Sequence, residues 1–140
     1  MALSFWFHTD AALTTPVVSR LPFVQAVADP VAVDRVLYFG SRLSGRVCQA
    51  ASDPGVDPVV VAIADANPGG GSPAGDVRLA LTASGLDTAV GGDPLVLPAT
   101  IAGGVAGAVA VHVRVLDSTH ASGVNRDLAL ITNTLRETDA

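Results

Sequence analysis

The sequence predicts an all-β fold, an antiparallel β-sandwich or small barrel with an N-terminal arm. The chain has 140 residues, enough for one domain built around one core. Its apolar residues stand in short runs of the kind that form strands. Gly, Pro, Asp and Ser separate these runs, and the spacing of runs and turns is typical of a sandwich or barrel. The main turn segments are residues 53–55, 67–71, 91–94 and 122–123.

The first thirty-odd residues differ from the rest of the chain. They hold most of the aromatic side chains and are broken by Pro16, Pro22 and Pro30. We therefore divide the chain into an N-terminal arm or edge segment, residues 1–33, and a β-sandwich domain, residues 34–140. Asp can cap a helix and Pro suits its first position, so Asp29 and Pro30 predict a short helical turn at residues 31–36.

Two of the predicted strands show which face is buried. Val77, Leu79 and Leu81 alternate with Arg78 and Ala80, and the valines at odd positions of residues 109–115 alternate with Ala, His and Arg. The run at 59–64 is apolar on both faces, which predicts a central strand or a subunit contact. The predicted strands are residues 36–39, 46–50, 59–64, 77–82, 109–116 and 128–135.

In the last predicted strand the apolar residues change face between Leu130 and Ile131, which indicates a β-bulge there. We expect this strand to form a final hairpin with residues 109–116. Its long loop would run from Asp117 to Asn125.

Composition excludes several functional classes. Only 15% of the residues are charged, the net charge is −5 and the eight basic residues are scattered, so no nucleic acid partner is expected. The apolar run at 101–111 is far shorter than the about 20 residues of a membrane span, so no membrane is expected. The N-terminus does not resemble a secretory signal. Cys48 stands alone, which excludes a disulfide within the chain.

No catalytic site, metal site or cofactor is predicted. The glycine-rich residues 67–75 lack the Gly-Lys-Ser/Thr ending of a phosphate-binding loop, so we interpret them as a plain loop. No motif links the possible ligands His8, His112, His120, Asp117 and Asp127. Asp53, Asp57, Asp65 and Asn67 are interpreted as turn formers, and Cys48 as a buried, inert thiol.

Several segments carry a resemblance to a known family. They are Tyr38-Phe39-Gly40-Ser41, Gln49 through Asp57, Leu86-Asp87-Thr88-Ala89 and Val111-His112-Val113-Arg114-Val115. With their short Val/Ala/Thr strands and Gly/Pro turns, residues 34–137 resemble the immunoglobulin-like β-sandwich structural proteins of tailed bacteriophage virions, of the head decoration, cement or tail accessory type. The resemblance implies an immunoglobulin-like sandwich that forms oligomers docked on a capsid or tail lattice.

The expected function is therefore non-enzymatic. We expect a virion structural protein, assembled in the host cytoplasm, whose partners are further copies of itself, major capsid proteins or tail proteins. Capsid decoration is the first assignment, and a neck, tail or baseplate component or a carbohydrate-binding or adhesin module is the alternative. An enzyme would require His112, His120 and the aspartates to converge in one pocket.

Aromatic residues are the predicted interface. Phe5, Trp6, Phe7, Phe23, Tyr38 and Phe39 are the residues expected to contact neighbouring subunits. If the arm only mediates contacts, deletion of residues 1–10 should leave the sandwich folded and weaken assembly.

Overall fold

The computed structural model describes residues 3–18, 21–25, 30–70, 72–118 and 128–140. Over these residues the protein is all-β, which confirms the predicted class, and every strand pairing is antiparallel. The described strands are β1 (Trp6–His8), β2 (Val33–Gly40), β3 (Arg46–Ala50), β4 (Val60–Asp65), β5 (Val77–Ala80), β6 (Leu95–Val96), β7 (Thr100–Ala102), β8 (Val109–Val115), β9 (Leu128–Thr132) and β10 (Leu135–Asp139). Short 3-10 helices lie at Ala74–Asp76, Ser84–Asp87 and Val105–Gly107.

The largest sheet has four strands in the order β1-β2-β8-β5. Its two central strands pair over their whole length, from Val33 opposite Val115 to Phe39 opposite Val109. Side chains alternate between the faces of a strand, so Val111 and Val113 point into the core while His112 and Arg114 point away from it. The alternation predicted for this strand is confirmed.

The remaining strands form two three-stranded sheets, β10-β3-β7 and β6-β4-β9. The chain passes from one of these sheets to the other between β3 and β4, β6 and β7, and β9 and β10. Backbone hydrogen bonds extend each sheet toward the other: the Leu97 N–H donates to the Val59 carbonyl (2.8 Å), and the Ala51 N–H donates to the Thr134 carbonyl (2.8 Å). Together they make one interrupted layer that faces the four-stranded sheet. This two-layer arrangement is consistent with a β-sandwich or small barrel.

The immunoglobulin-like part of the prediction is not confirmed. An immunoglobulin constant domain divides its seven strands into the sheets ABED and CFG. Here each strand of the four-stranded sheet from β2 onward is followed by two strands of the layer opposite: β2, β5 and β8 lie in the four-stranded sheet, and the pairs β3 and β4, β6 and β7, and β9 and β10 lie opposite.

A single apolar core lies between the layers. Both layers contribute to it, and the N-terminal segment contributes Phe5 and Phe7. Cys48, Val59, Val61 and Val111 are fully buried in it. The other members are Leu37, Phe39, Val77, Leu79, Leu97, Ile101 and Val113.

The N-terminal segment continues the four-stranded sheet as its edge. Trp6–His8 pairs with β2, and residues 15–17 then return along the outer side of β1. The Val17 N–H donates to the Phe7 carbonyl (2.9 Å), and the Thr9 N–H donates to the Thr15 carbonyl (3.0 Å). The edge of β1 is therefore covered by the chain's own backbone.

The helical turn expected at residues 31–36 is wrong. β2 begins at Val33, which lies opposite Val115, and continues as extended chain to Gly40. The local preference of Asp29 and Pro30 for a helix start is weaker than the ladder that β2 forms with β8. Asp29 itself lies outside the described residues.

The predicted final strand and hairpin are also wrong. Residues 128–135 belong to two strands, since β9 pairs with β4 while β10 pairs with β3. The inward-facing side chains change parity at Asn133 and Thr134, and not between Leu130 and Ile131. At this point the Asn133 N–H donates to the Val60 carbonyl, and the Thr134 carbonyl accepts the Ala51 N–H. β8 pairs with β2 and β5, so it forms no hairpin with β9. The loop predicted from Asp117 to Asn125 lies mostly outside the described residues, and so do His120 and Asp127.

Candidate interaction surface

The solvent side of the four-stranded sheet carries one exposed tryptophan and several half-buried residues. Trp6 lies opposite Gly40, and His8 lies opposite Tyr38, so Trp6 and Tyr38 are diagonal neighbours on one face. Val36 is opposite His112 on the same side, and Arg114 follows two residues later on β8. We call Trp6, Val36, Tyr38, His112 and Arg114 the outer face.

Trp6 is held rigidly although 43% of it is exposed. Its indole N–H donates to the carbonyl of Val17 at 2.8 Å. Its ring meets the edge of the buried Phe7 ring, with a centroid distance of 5.4 Å and an interplanar angle of 73°. A fixed, half-exposed tryptophan with a satisfied N–H loses little conformational entropy when a partner covers it.

Arg114 is fixed on the outer face by two carboxylates. Its guanidinium donates to both oxygens of Asp34, at 2.8 and 3.0 Å, and to Asp87 at 2.8 Å. The hydrogen bonds to Asp34 and then to Asp87 raise the pKa of Arg114, and the bond from Arg114 lowers the pKa of Asp34 against the opposing effect of burial. Because Asp34 and Asp87 are largely exposed, this cluster positions Arg114 more than it stabilises the fold.

The six residues predicted as an interface lie in three different environments. Phe5, Phe7 and Phe39 are at most 3% exposed and belong to the core, where Phe7 and Phe39 pack with centroids 5.2 Å apart. Trp6 and Tyr38 lie on the outer face. Phe23 is half-buried, and the Arg35 guanidinium lies 5.2 Å from its ring centroid.

A buried carboxylate ties the N-terminal segment to the end of the chain. The Glu137 side chain is 8% exposed and accepts hydrogen bonds from the Ser4 N–H (2.7 Å), the Ser4 hydroxyl (2.9 Å) and Arg46 Nε (3.0 Å). Burial raises the pKa of Glu137, but the bonds from Ser4 and Arg46 outweigh it and the pKa is lowered overall. Sequence reasoning missed this cluster. Its only signal was that Glu137 is the single glutamate in the chain.

An open cleft of about 600 Å³ lies where the end of β8 meets the first 3-10 helix. Arg78, Arg114, Asp76 and Asp117 are among its lining residues. Arg78 forms no ion pair with a described residue, and its one hydrogen bond is a long contact of 3.5 Å to the Leu86 carbonyl. The Asp76 carboxylate accepts the Ser118 N–H at 3.1 Å. Opposite charges share the cleft, so it favours no single ligand charge.

The residues weighed for chemistry are dispersed. His8 is buried opposite Tyr38, its Nδ1 lying 2.9 Å from the Trp6 carbonyl, and His112 lies opposite Val36 further along β2. Asp57 accepts the Ser52 hydroxyl and Asp65 accepts the Asn67 N–H, both within their own turns. Burial, followed by the negative charge of Glu137, raises the pKa of Cys48 to about 11. Among the described residues no group of three or more His, Cys, Asp or Glu side chains is placed to hold a metal ion.

The free side of β9 is the second notable surface. The Asn133 N–H donates to the Val60 carbonyl (3.2 Å) and continues the β9–β4 register, which fixes how β9 bonds to β4. Since bonding alternates along an antiparallel pair, Ala129 and Ile131 bond to β4, while Leu128, Leu130 and Thr132 turn their N–H and C=O groups away from it. No described residue pairs with that side. We call Leu128, Leu130 and Thr132 the open edge.

No helix among the described residues is long and apolar enough to cross a bilayer. Comparisons with protein-family models, with curated proteins and with solved structures found no match to this chain.

Proposed function

We propose that this chain is a non-enzymatic structural protein of a tailed bacteriophage virion that binds neighbouring subunits through its outer face. Head decoration or cement is the first assignment within that class. Its partners are further copies of itself and the major capsid proteins. A neck, tail or baseplate component is the alternative, and it would use the same kind of surface.

The observation that supports the proposal is that Trp, Tyr and Arg share the outer face, with the rigid, half-exposed Trp6 diagonal to Tyr38 at one end and Arg114 opposite Asp34 toward the other end. Trp, Tyr and Arg are the residue types that dominate binding energy in protein interfaces. Two of them are fixed before binding, Trp6 by the Val17 carbonyl and Arg114 by the two carboxylates, while Tyr38 lies on the central strand β2. Covering the exposed part of Trp6 alone would contribute about 2 kcal/mol of apolar burial.

The surface composition agrees with the proposal. In the described part of the chain, thirteen large apolar side chains are at least 43% exposed, while only 15% of all residues are charged. Single exposed apolar residues are common on monomers, so this number supports the proposal only together with the outer face. A partner that covers part of this surface would remove the solubility cost of so few charges.

The test is co-sedimentation of the purified protein with tailed-phage capsids that lack it. We compare the native chain with Trp6→Ala and with Val18→Ala, a control at a side chain that is 86% exposed near the same edge. Stoichiometric recovery on capsids, at least about tenfold weaker for Trp6→Ala and unchanged for Val18→Ala, is expected. Thermal melts of both variants check that they are folded.

Other outcomes separate the alternatives. Binding to purified tails or necks in place of capsids, with the same sensitivity to Trp6→Ala, would move the assignment to a tail component. Binding to a glycan array that Trp6→Ala abolishes would overturn the structural role in favour of a carbohydrate-binding module. Equal capsid binding by Trp6→Ala and the native chain would rule out the outer face.

A further inference from the structure

We infer that two copies of this chain pair through their open edges, antiparallel about a twofold axis at Leu130. The pairing would join the sheets β6-β4-β9 of the two copies into one continuous sheet. This inference takes its partner class, a second copy, from the homo-oligomer part of the proposed function. It does not depend on the virion assignment or on the outer face.

Backbone polarity is the first argument. Leu128, Leu130 and Thr132 direct their N–H and C=O groups away from β4, and no described residue accepts or donates to them. An unpaired row of this kind is a template for another extended strand. The same side of β1 is occupied by residues 15–17, so the molecule covers one edge and leaves the other uncovered.

The absence of charge along the edge allows the added strand to come from a second copy. Each molecule carries a net charge of −5, so two copies approach best where no like charges face each other. Residues 128–135 contain no charged side chain. Protected edges are commonly blocked by charged residues, Lys above all, and this edge has none.

The other described edges are less suitable. β10 carries Arg136, Glu137 and Asp139, and the Glu137 side chain is already used by Ser4 and Arg46. β5 carries Arg78. β6 and β7 span two and three residues, too short for a ladder of several pairs. β9 is therefore the longest uncharged edge described.

Hydrogen bonding also selects the register. With Leu130 opposite Leu130 of the second copy, Leu128 faces Thr132 and Thr132 faces Leu128, which gives about six hydrogen bonds from three pairs. A shift that places Ile131 opposite Ile131 would pair Leu128 with Thr134. Thr134 is unsuitable because its carbonyl already accepts the Ala51 N–H at 2.8 Å. The register centred on Leu130 therefore satisfies more backbone groups.

Side chains fit this register on the solvent side. Ile131 is 46% exposed and Ala129 is exposed, and both point away from the core. The register places Ile131 of each copy opposite Ala129 of the other, a large residue against a small one. Pairing would thereby cover the exposed surface of Ile131.

The first experiment measures mass against concentration by sedimentation equilibrium. One strand pair buries less than the about 1,200 Å² of a standard interface, so we expect a concentration-dependent dimer. Ile131→Lys should raise the dissociation constant at least about tenfold, because it places a charge in the contact. Val96→Lys is the matched control: Val96 is 56% exposed on the opposite edge of the same sheet, and its change should leave the dimer intact.

The second experiment fixes the register by disulfide formation. Cys48 is fully buried, so an introduced cysteine is the one accessible thiol among the described residues. Ala129 and Ile131 of the two copies would form a non-hydrogen-bonded pair with Cα atoms about 4.5 Å apart, within disulfide range. On mild oxidation, a mixture of Ala129→Cys and Ile131→Cys should give covalent heterodimer in excess of either homodimer.

The two readouts separate this inference from the proposed function. A monomer at every concentration, or a dimer that Ile131→Lys does not weaken, would overturn it. Preferential Ile131→Cys homodimer would overturn the register. Capsid binding is measured on Trp6→Ala and dimerisation on Ile131→Lys. Disproof of pairing at the open edge would therefore leave the proposed role of the outer face unchanged, and disproof of the outer face would leave the pairing unchanged.

Discussion

The sheet edges at β1 and β9 differ in whether the chain's own backbone covers them. At β1, Phe5 and Phe7 turn into the core, and residues 15–17 cover the free backbone groups. At β9, Ile131 turns to solvent and no described strand covers Leu130 or its neighbours. An apolar strand at a sheet edge can therefore have its free backbone groups covered by the same chain, as at β1, or uncovered by any described strand, as at β9. The amino-acid composition of the two strands does not show which edge is covered.

The largest effect is expected from breaking the covered edge. Phe7 is 3% exposed and its ring packs on Phe39, so Phe7→Ala should lower the free energy of unfolding by about 3 to 5 kcal/mol. Urea denaturation measures this. Leu3→Ala, at a side chain that is 43% exposed, is the control and should cost much less.

The same burial changes the expected result of a truncation. Deletion of residues 1–10 removes Phe5, Phe7 and strand β1, so we expect loss of the cooperative unfolding transition and not merely weaker assembly. A truncated protein that unfolds with native cooperativity and stability would show that the N-terminal segment is a separable arm after all.

Much of the sheet pattern was predictable because burial repeats with a period of two. Val77 and Leu79, and Val111 and Val113, alternate with polar residues over lengths that only a half-buried strand explains. Leu81 was expected on the same core face but is 47% exposed, since β5 ends at Ala80. A period of two in the apolar residues shows which face of a strand is buried, but it does not show where the strand ends.

What could not be predicted depends on long-range pairing. The short strands β6 and β7 lie among Gly and Pro residues and become strands only because β4 and β3 lie beside them. Likewise, Phe5, Trp6 and Phe7 are all aromatic, so the sequence does not tell which of them are buried. Only pairing with β2 places the two phenylalanines inside and Trp6 on the outer face.

A smaller effect is expected at the tie between the two ends of the chain. Glu137→Gln weakens the charge-assisted bonds from Ser4 and Arg46, so we expect a loss of about 2 kcal/mol at neutral pH. The pKa of Glu137 is lowered in the folded protein, so its ionised form stabilises the fold above the unfolded-state pKa. That stabilisation is lost as the pH falls through the folded-state pKa.

Urea melts of the native protein and Glu137→Gln over a series of pH values test this tie. The gap in stability between the two should narrow as the pH is lowered. Asp139→Asn is the control, because the Asp139 side chain is 88% exposed although it also pairs with Arg46. It should leave stability nearly unchanged. A gap for Glu137→Gln that is constant with pH would show that the ionised carboxylate is not what holds Ser4.

The smallest effect is expected beside the open edge, at the joint between β9 and β10. The Asn133 side chain accepts the Val60 N–H at 2.9 Å and donates to the Pro58 carbonyl at 3.1 Å, so it bridges the point where the layer is interrupted. Asn133→Ala should cost about 1 to 2 kcal/mol, since it leaves a backbone donor and acceptor without their partner. Asn133→Asp retains the acceptor for Val60 but loses the donor to Pro58, and its stability should therefore lie between those of the native chain and Asn133→Ala.

Urea denaturation ranks the stabilities of the three proteins. Equal stability of Asn133→Ala and the native chain would mean that the backbone bond from Asn133 to Val60 alone holds the joint. Because Asn133 follows β9 directly, hydrogen exchange at Ile131, whose N–H faces β4, should speed up in Asn133→Ala, while exchange at Val113 in the central strand β8 stays as slow as in the native chain.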